Sequence, residues 1–329
     1  MNKKASKTLW YVIFLAIGVA LLWFSFRNID LSQLWTDIKS ANYSWMLLSL
    51  ACLAISLYFR ALRWNIQIEA LGYKTRASST FGAVLIAYLA NCIFPRLGEV
   101  VRCSVLKRKE KIPFDKSLGS VISERIIDLL VLFLLAFLVI VFQWKLLGSL
   151  VTSWMVPLLN KLKDNVLLGI IAIVVGIVFI VFLIKIIKKN KKIASVWHGF
   201  VDGIKSVITM KKKWRFILYT LGVWGFYVIM TWLPFYMLSE TSRLGVVEAV
   251  TLLGIATLGI VAPVPGGIGT YHFIAITLLH DFYHISRQAA GSFAAINHGS
   301  QMIFYLITGI LAYVVIFFFD KRNPINNYK

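Results

Sequence analysis

Apolar residues run along this chain in unbroken blocks, without the alternation or 3.6-residue period of elements that turn one face to water. Blocks of about 20 residues, enough to cross a hydrocarbon core of roughly 30 Å as a helix, cover 8–26, 43–62, 126–144, 166–183, 216–238 and 299–319, the last led in by a more polar helical stretch from Arg287. Two shorter apolar stretches, 81–94 and 250–262, each run into a polar string rich in Pro and Gly. These strings are Phe94-Pro95-Arg96-Leu97-Gly98-Glu99 and Pro263-Val264-Pro265-Gly266-Gly267-Ile268-Gly269. Paired interruptions in corresponding halves are the pattern of a substrate site inside a membrane transporter. The pattern predicts an all-α polytopic membrane protein.

Composition agrees. With 59% hydrophobic residues, 15% charged residues and a mean hydropathy of +0.77, the chain lies outside the range of soluble globular domains. Block 8–26 follows three lysines, as a signal peptide would, but it is long and has no small-residue cleavage site before Arg27, so a retained first helix is expected. Cys52, Cys92 and Cys103 are scattered and match neither a disulfide framework nor a zinc spacing. His280, Asp281 and His284 have a metal-like spacing without a strong ligand set. No metal and no cofactor is assigned.

The formal charge of +21 raises nucleic acid as a partner, and the placement of the basic residues answers it. The N-terminus, 60–76, 96–116, 185–215 and the tail from Lys321 hold 27 of the 35 Lys and Arg. These segments flank apolar blocks, and by the positive-inside rule they are cytoplasmic, as are both termini. Because 60–76 and 96–116 are both basic, 81–94 must enter the membrane and return to the same face, a re-entrant hairpin with its tip at Pro95. The stretch 250–280 dips in from the opposite face, with 263–269 at its tip. Six full spans and two re-entrant hairpins result, or eight spans if the arms of the second hairpin cross. Units 43–144 and 216–319 then form an inverted repeat within a single membrane domain. A sequence echo accompanies it: Gly119-Ser120 after the first hairpin, Gly291-Ser292 after the second. The basic stretch 185–215 reads as an amphipathic helix on the anionic inner leaflet.

Irregular backbone inside a membrane must be buried in protein or line a watery cavity. Charged side chains there are held to the same condition. Glu124, Arg125 and Asp128 enter an apolar run at a cost of roughly 2.5–3.5 kcal/mol each at the bilayer centre, so they must face inward and pair. Arg125 and Asp128, three apart, can pair with each other. The trio either lines a central cavity or locks helices together. Arg96, Glu99 and Arg102 surround the first tip, where guanidinium forks and freed amides suit a phosphate; positive-inside loop charge is the plainer account. Arg60 and Arg63 end the second span as snorkelling anchors or headgroup contacts. Pro265, Gly266, Gly267 and Gly269 permit a close, left-handed tip. His272 follows that tip, and Asn297, His298 and Gln301 make a polar stripe on the last helix, serving either interhelical hydrogen bonds or a cavity wall. No Lys-Ser or Lys-Thr follows the glycines, so there is no nucleotide P-loop.

Three motifs in order, Pro95-Arg96-Leu97-Gly98-Glu99 with Arg102, Glu124-Arg125 with Asp128, and Pro265-Gly266-Gly267-Ile268-Gly269, resemble the lysylphosphatidylglycerol synthase transmembrane-domain family, also called the flippase-like domain family. In its bifunctional members the membrane domain flips aminoacylated phosphatidylglycerol and a separate soluble domain makes it. The resemblance implies lipid translocation in a bacterial cytoplasmic (inner) membrane, with Arg96, Glu99, Glu124, Arg125 and the glycines at 266, 267 and 269 as carried-over candidates. Two departures stand out. Many members have a Glu soon after the Gly-rich string, where this chain has Thr270-Tyr271-His272, and the longest cytoplasmic segment has no room for an aminoacyl transferase. The expected role is therefore a translocator of a phospholipid or polyprenyl-linked lipid, without an ATP motor. The alternatives are a membrane-embedded transferase with Glu124 or Asp128 as base, and a scaffold that recruits a cytoplasmic synthase. A homo-oligomer is compatible with each.

Overall fold

The computed structural model describes residues 3–144, 210–259 and 264–320, together with Gly148, Thr152, Val156 and Asn160. The expected span at 166–183, nearly all of the basic segment before Met210, and Pro263 lie outside the described residues. Among the described residues there are only helices and the turns between them, with no strand. In chain order the helices are α1 (Lys3–Phe26), α2 (Leu31–Ser40), α3 (Tyr43–Ala70), α4 (Ala77–Ile93), α5 (Leu97–Glu110), α6 (Phe114–Phe142), α7 (Lys213–Trp232), α8 (Val246–Gly259), α9 (Thr270–Thr277) and α10 (Arg287–Val314). A tighter turn, Leu233–Met237, extends α7, and wider turns, Leu278–Phe282 and Val315–Phe319, extend α9 and α10.

Four of these are long and apolar enough to cross a membrane: Tyr43–Ala70, Phe114–Phe142, Lys213–Met237 and Arg287–Phe319. Val12–Phe26 and Leu31–Ser40, bent by 87° at their junction, make a fifth candidate if taken as one broken span. Helix α4 and Val246–Thr257 are apolar but shorter. The chain divides into two compact units, Met1–Glu124 with Met210–Lys329, and Arg125–Thr209.

Local chemistry sets the breaks. Phe94 takes an extended conformation (φ −129°, ψ 126°), as a residue before proline must, and ends α4. Arg96 follows in the left-handed region (φ 62°) and turns the chain back into α5. The hairpin closes because Gly98 brings its backbone onto α4: its N–H donates to Asn91 Oδ1 at 2.7 Å, and a Cβ there would lie 2.5 Å from the Ala87 carbonyl oxygen. Elsewhere caps mark the helix starts. Asp30 Oδ1 accepts the Ser32 N–H at 2.8 Å before α2, and Ser286 Oγ accepts the Ala289 N–H at 3.2 Å before α10.

Helices α3 and α7 pack on each other and are stitched by buried hydroxyls. Ser49 Oγ donates to the Met230 carbonyl at 2.6 Å and Ser56 Oγ to that of Val223 at 2.9 Å. Two cores result. One joins Leu57, Trp64, Val84, Leu106 and Val121 of α3–α6; the other joins Met46, Phe235, Leu252, Ile276 and Phe293. The polar groups described next sit among and between them.

Candidate functional site

Glu124 is completely buried, and three arginines converge on it. Its Oε1 lies 2.8 Å from Arg60 Nε and 3.2 Å from Arg63 Nη2, and its Oε2 lies 2.8 Å from Arg102 Nη1. Arg63 is fully buried and Arg102 nearly so; Arg60 is the most accessible, at 10% of its side chain. Helix α3 supplies Arg60 and Arg63, which are three residues apart and so share a face. The first hairpin returns Arg102 through α5, and α6 supplies the carboxylate. Trp64 fixes the arrangement from behind: its Nε1–H donates to Ser120 Oγ at 2.8 Å, and its ring lies 4.6 Å beneath the Arg102 guanidinium. Arg102 Nη2 is buried with no hydrogen-bond partner among the described residues.

This placement changes the reading of Arg60 and Arg63. Expected at the interface as anchors or headgroup contacts, they bury their side chains against Glu124. A carboxylate within reach in a dry interior forms short charge-assisted bonds with guanidiniums, and these outweigh extension toward the interface. Arg102 likewise leaves the hairpin tip for Glu124. Arg125 Nη2 lies 3.4 Å from Asp128 Oδ2, the i to i+3 pairing that the spacing predicts. Arg96 stays exposed at the bend, and Glu99 is half-buried in the first turn of α5, its Oε2 without a hydrogen-bond partner among the described residues.

A second polar group surrounds the Gly-rich tip. Pro265–Gly267 form one tight turn in which Gly266 (φ 59°) and Gly267 (φ 75°) are left-handed; Gly269 (φ 86°) follows and starts α9. His298 Nε2 lies 3.0 Å from the Gly266 carbonyl oxygen; since that oxygen only accepts, Nε2 carries the proton. The Gly269 N–H points at His272 Nδ1 at 3.4 Å, and the two imidazoles meet edge to face at 4.9 Å. Tyr271 stacks on His298 at 5.0 Å, its hydroxyl 2.5 Å from Asn297 Nδ2, and Gln301 Nε2 donates to Asn297 Oδ1 at 3.1 Å. The expected stripe on the last helix therefore reaches the second tip.

One turn further along α10, Tyr305 stacks on Tyr88 at 4.7 Å. The Tyr88 hydroxyl accepts from Arg60 Nη1 at 2.8 Å and lies 3.0 Å from the Tyr227 hydroxyl. Tyr88, Tyr227 and Tyr305 were not singled out by the sequence. The available signal was the Tyr88 hydroxyl inside an otherwise apolar run, a polar atom that needs a buried partner. A further buried acid, Glu110, accepts from Ser79 Oγ at 2.5 Å and lies 3.6 Å from Arg76 Nη1, tying the end of α5 to the start of α4.

A known family model, described as the lysylphosphatidylglycerol synthase TM region, matches residues 11–309 of the chain. The chain belongs to that family. Among relatives of the family member, an UPF0104 membrane protein, MJ1595, of Methanocaldococcus jannaschii is 23% identical over 309 residues, covering 89% of this chain and 90% of the relative. Glycosyltransferase AglD of Haloferax volcanii is 31% identical over 114 residues, which is 34% of this chain and only 18% of AglD. No solved structure matches. The family membership and the apolar helices make this a multi-pass membrane protein.

Proposed function

We propose that the protein moves a phosphate-bearing lipid between the leaflets of a bacterial cytoplasmic membrane. The observation that carries this reading is the gathering of Arg60, Arg63 and Arg102 on Glu124 within an apolar helical bundle. Ionisable groups at membrane depth are expensive, and they mark substrate pathways. In this reading six spans and two re-entrant hairpins form an inverted repeat, with both termini cytoplasmic. The tips at Pro95 and Pro265–Gly269 lie at the level of the headgroup path, and the repeats rock about it. Arg96 and Glu99 guide the headgroup from the cytoplasmic side. His272, Asn297, His298 and Gln301 line its route past the second tip. The substrate is a phospholipid or a polyprenyl-linked lipid.

The partial likeness to a glycosyltransferase, AglD, favours, as a second reading, a sugar-bearing lipid as cargo; it carries no transferase activity to this chain, which spans only 18% of AglD. The test is reconstitution of the purified chain into liposomes containing fluorescent headgroup-labelled lipids, followed by quenching of the outer leaflet. Accelerated exchange of the labelled lipid, lost in Arg102→Gln, is expected. Exchange at the rate of protein-free liposomes across anionic phospholipids and polyprenyl phosphates would end this reading. Product formation without exchange would replace it with a transferase, and recruitment of a cytoplasmic synthase without exchange would replace it with a scaffold.

A further inference from the structure

We propose that Glu124 is an exchangeable internal anion, seated where the phosphate of the lipid headgroup sits during translocation. This rests on the translocation reading above and gives the same site a mechanism. The three guanidiniums bind Glu124 through Arg60 Nε and Arg63 Nη2 on one oxygen and Arg102 Nη1 on the other. A phosphodiester offers two charged oxygens and one negative charge, as a carboxylate does, and the guanidinium fork fits both. Substituting one for the other keeps the charge of the cage and the hydrogen bonds it already makes.

One detail points to a second anion over a fixed structural pair. Arg102 Nη2 is a buried donor with no hydrogen-bond partner among the described residues, and Arg102 is 3% exposed. A tetrahedral phosphate has further oxygens, which a planar carboxylate lacks, to take that donor. Arg60 marks the side of entry, because it is the most accessible of the three. The cycle then follows. A lipid phosphate enters beside Arg60 and displaces the Glu124 carboxylate from the arginines. The returning carboxylate, equal in charge, releases the lipid to the other side.

The test uses the purified full chain and three soluble probes: dihexanoyl-phosphatidylglycerol, inorganic phosphate and uncharged dihexanoylglycerol. Removing the competing anion in Glu124→Gln should tighten binding of the phosphatidylglycerol probe by about 10-fold or more, the worth of one charge-assisted hydrogen bond, while leaflet exchange slows because nothing drives release. Glu124→Asp keeps the charge but withdraws it by one methylene; it should show a smaller gain in the same direction and serves if the Gln variant does not fold. Weaker or unchanged phosphate binding in a folded variant overturns the proposal, as does equal tightening for uncharged dihexanoylglycerol. If inorganic phosphate gains and the lipid probe does not, the cage serves free phosphate and the lipid assignment falls. Tighter lipid binding in a protein that never accelerates exchange keeps the exchangeable anion and removes the translocation reading; normal exchange with no effect of Glu124 on binding does the reverse.

Discussion

Adding one methyl group at Gly269 tests whether the Gly-rich turn before α9 is held against the first helix by backbone contact. Gly269 has φ +86°, and a Cβ there would fall on the Gly18 carbonyl oxygen of α1, with the Gly18 C and Cα at 2.9 and 3.2 Å. Gly72 is the control: its φ is +87° and nothing lies within 4 Å of its Cβ position. Both alanine variants meet the left-handed penalty of about 1–2 kcal/mol. Only Gly269→Ala also collides, and with backbone atoms that no rotamer change can move. Helix α1 must then withdraw, loosening Phe24 from Phe273 (6.1 Å) and Phe26 from His272 (5.5 Å). Aromatic contacts of this kind are worth about 0.5–1.5 kcal/mol each, and overpacking costs about 1–3 kcal/mol. Gly269→Ala should therefore be less stable than Gly72→Ala by about 2–6 kcal/mol. Unfolding midpoints of the two variants in one detergent, followed by tryptophan fluorescence, measure the difference. Equal midpoints would refute the backbone contact, whatever the absolute loss.

Four further outcomes are expected. Glu124→Leu leaves three buried guanidiniums against one another and should cost about 3–5 kcal/mol in reversible unfolding, whereas Arg63→Met, which removes one of the three, should cost clearly less. Tyr88→Phe keeps the stack on Tyr305 but takes the hydroxyl from Arg60 and Tyr227; about 1–3 kcal/mol of stability should go with it, read from the same midpoints. His298→Phe preserves the ring against Tyr271 and removes the bond to the Gly266 carbonyl, so hydrogen exchange over 264–269 should quicken by about 5-fold, the equivalent of roughly 1 kcal/mol. Ser49→Ala and Ser56→Ala, each removing one hydroxyl between α3 and α7, should cost about 0.6 kcal/mol apiece and, having different partners, should add in the double variant.

How far the sequence led depended on the range of each interaction. Arg125 and Asp128 pair at i, i+3, and Gln301 reaches Asn297 at i, i+4, both readable from helical spacing alone. The break between α4 and α5 was readable because Pro95 forces Phe94 out of the helix. Glu124 was readable as a charge in need of a partner, but its partners were not, since Arg63 lies 61 residues away and Arg102 lies 22. A helix that is apolar on every side has no hydrophobic period to say which face turns inward. The same Arg60-Ala61-Leu62-Arg63 string therefore fits an interfacial anchor and a buried cage equally well until the neighbouring helices are in place.

The Gly-rich string makes the point from the other direction. Its glycines announce a positive-φ turn, yet the need for a glycine at 269 comes as much from Gly18, a residue with nothing to distinguish it inside an apolar block, as from its own φ. A close approach is a property of two segments at once, and only one of them showed it in sequence. The function reading follows the same division. The residue types that can hold a phosphate were visible one by one; that three arginines share one carboxylate, which makes exchange chemically reasonable, is a fact about the packing of α3, α5 and α6.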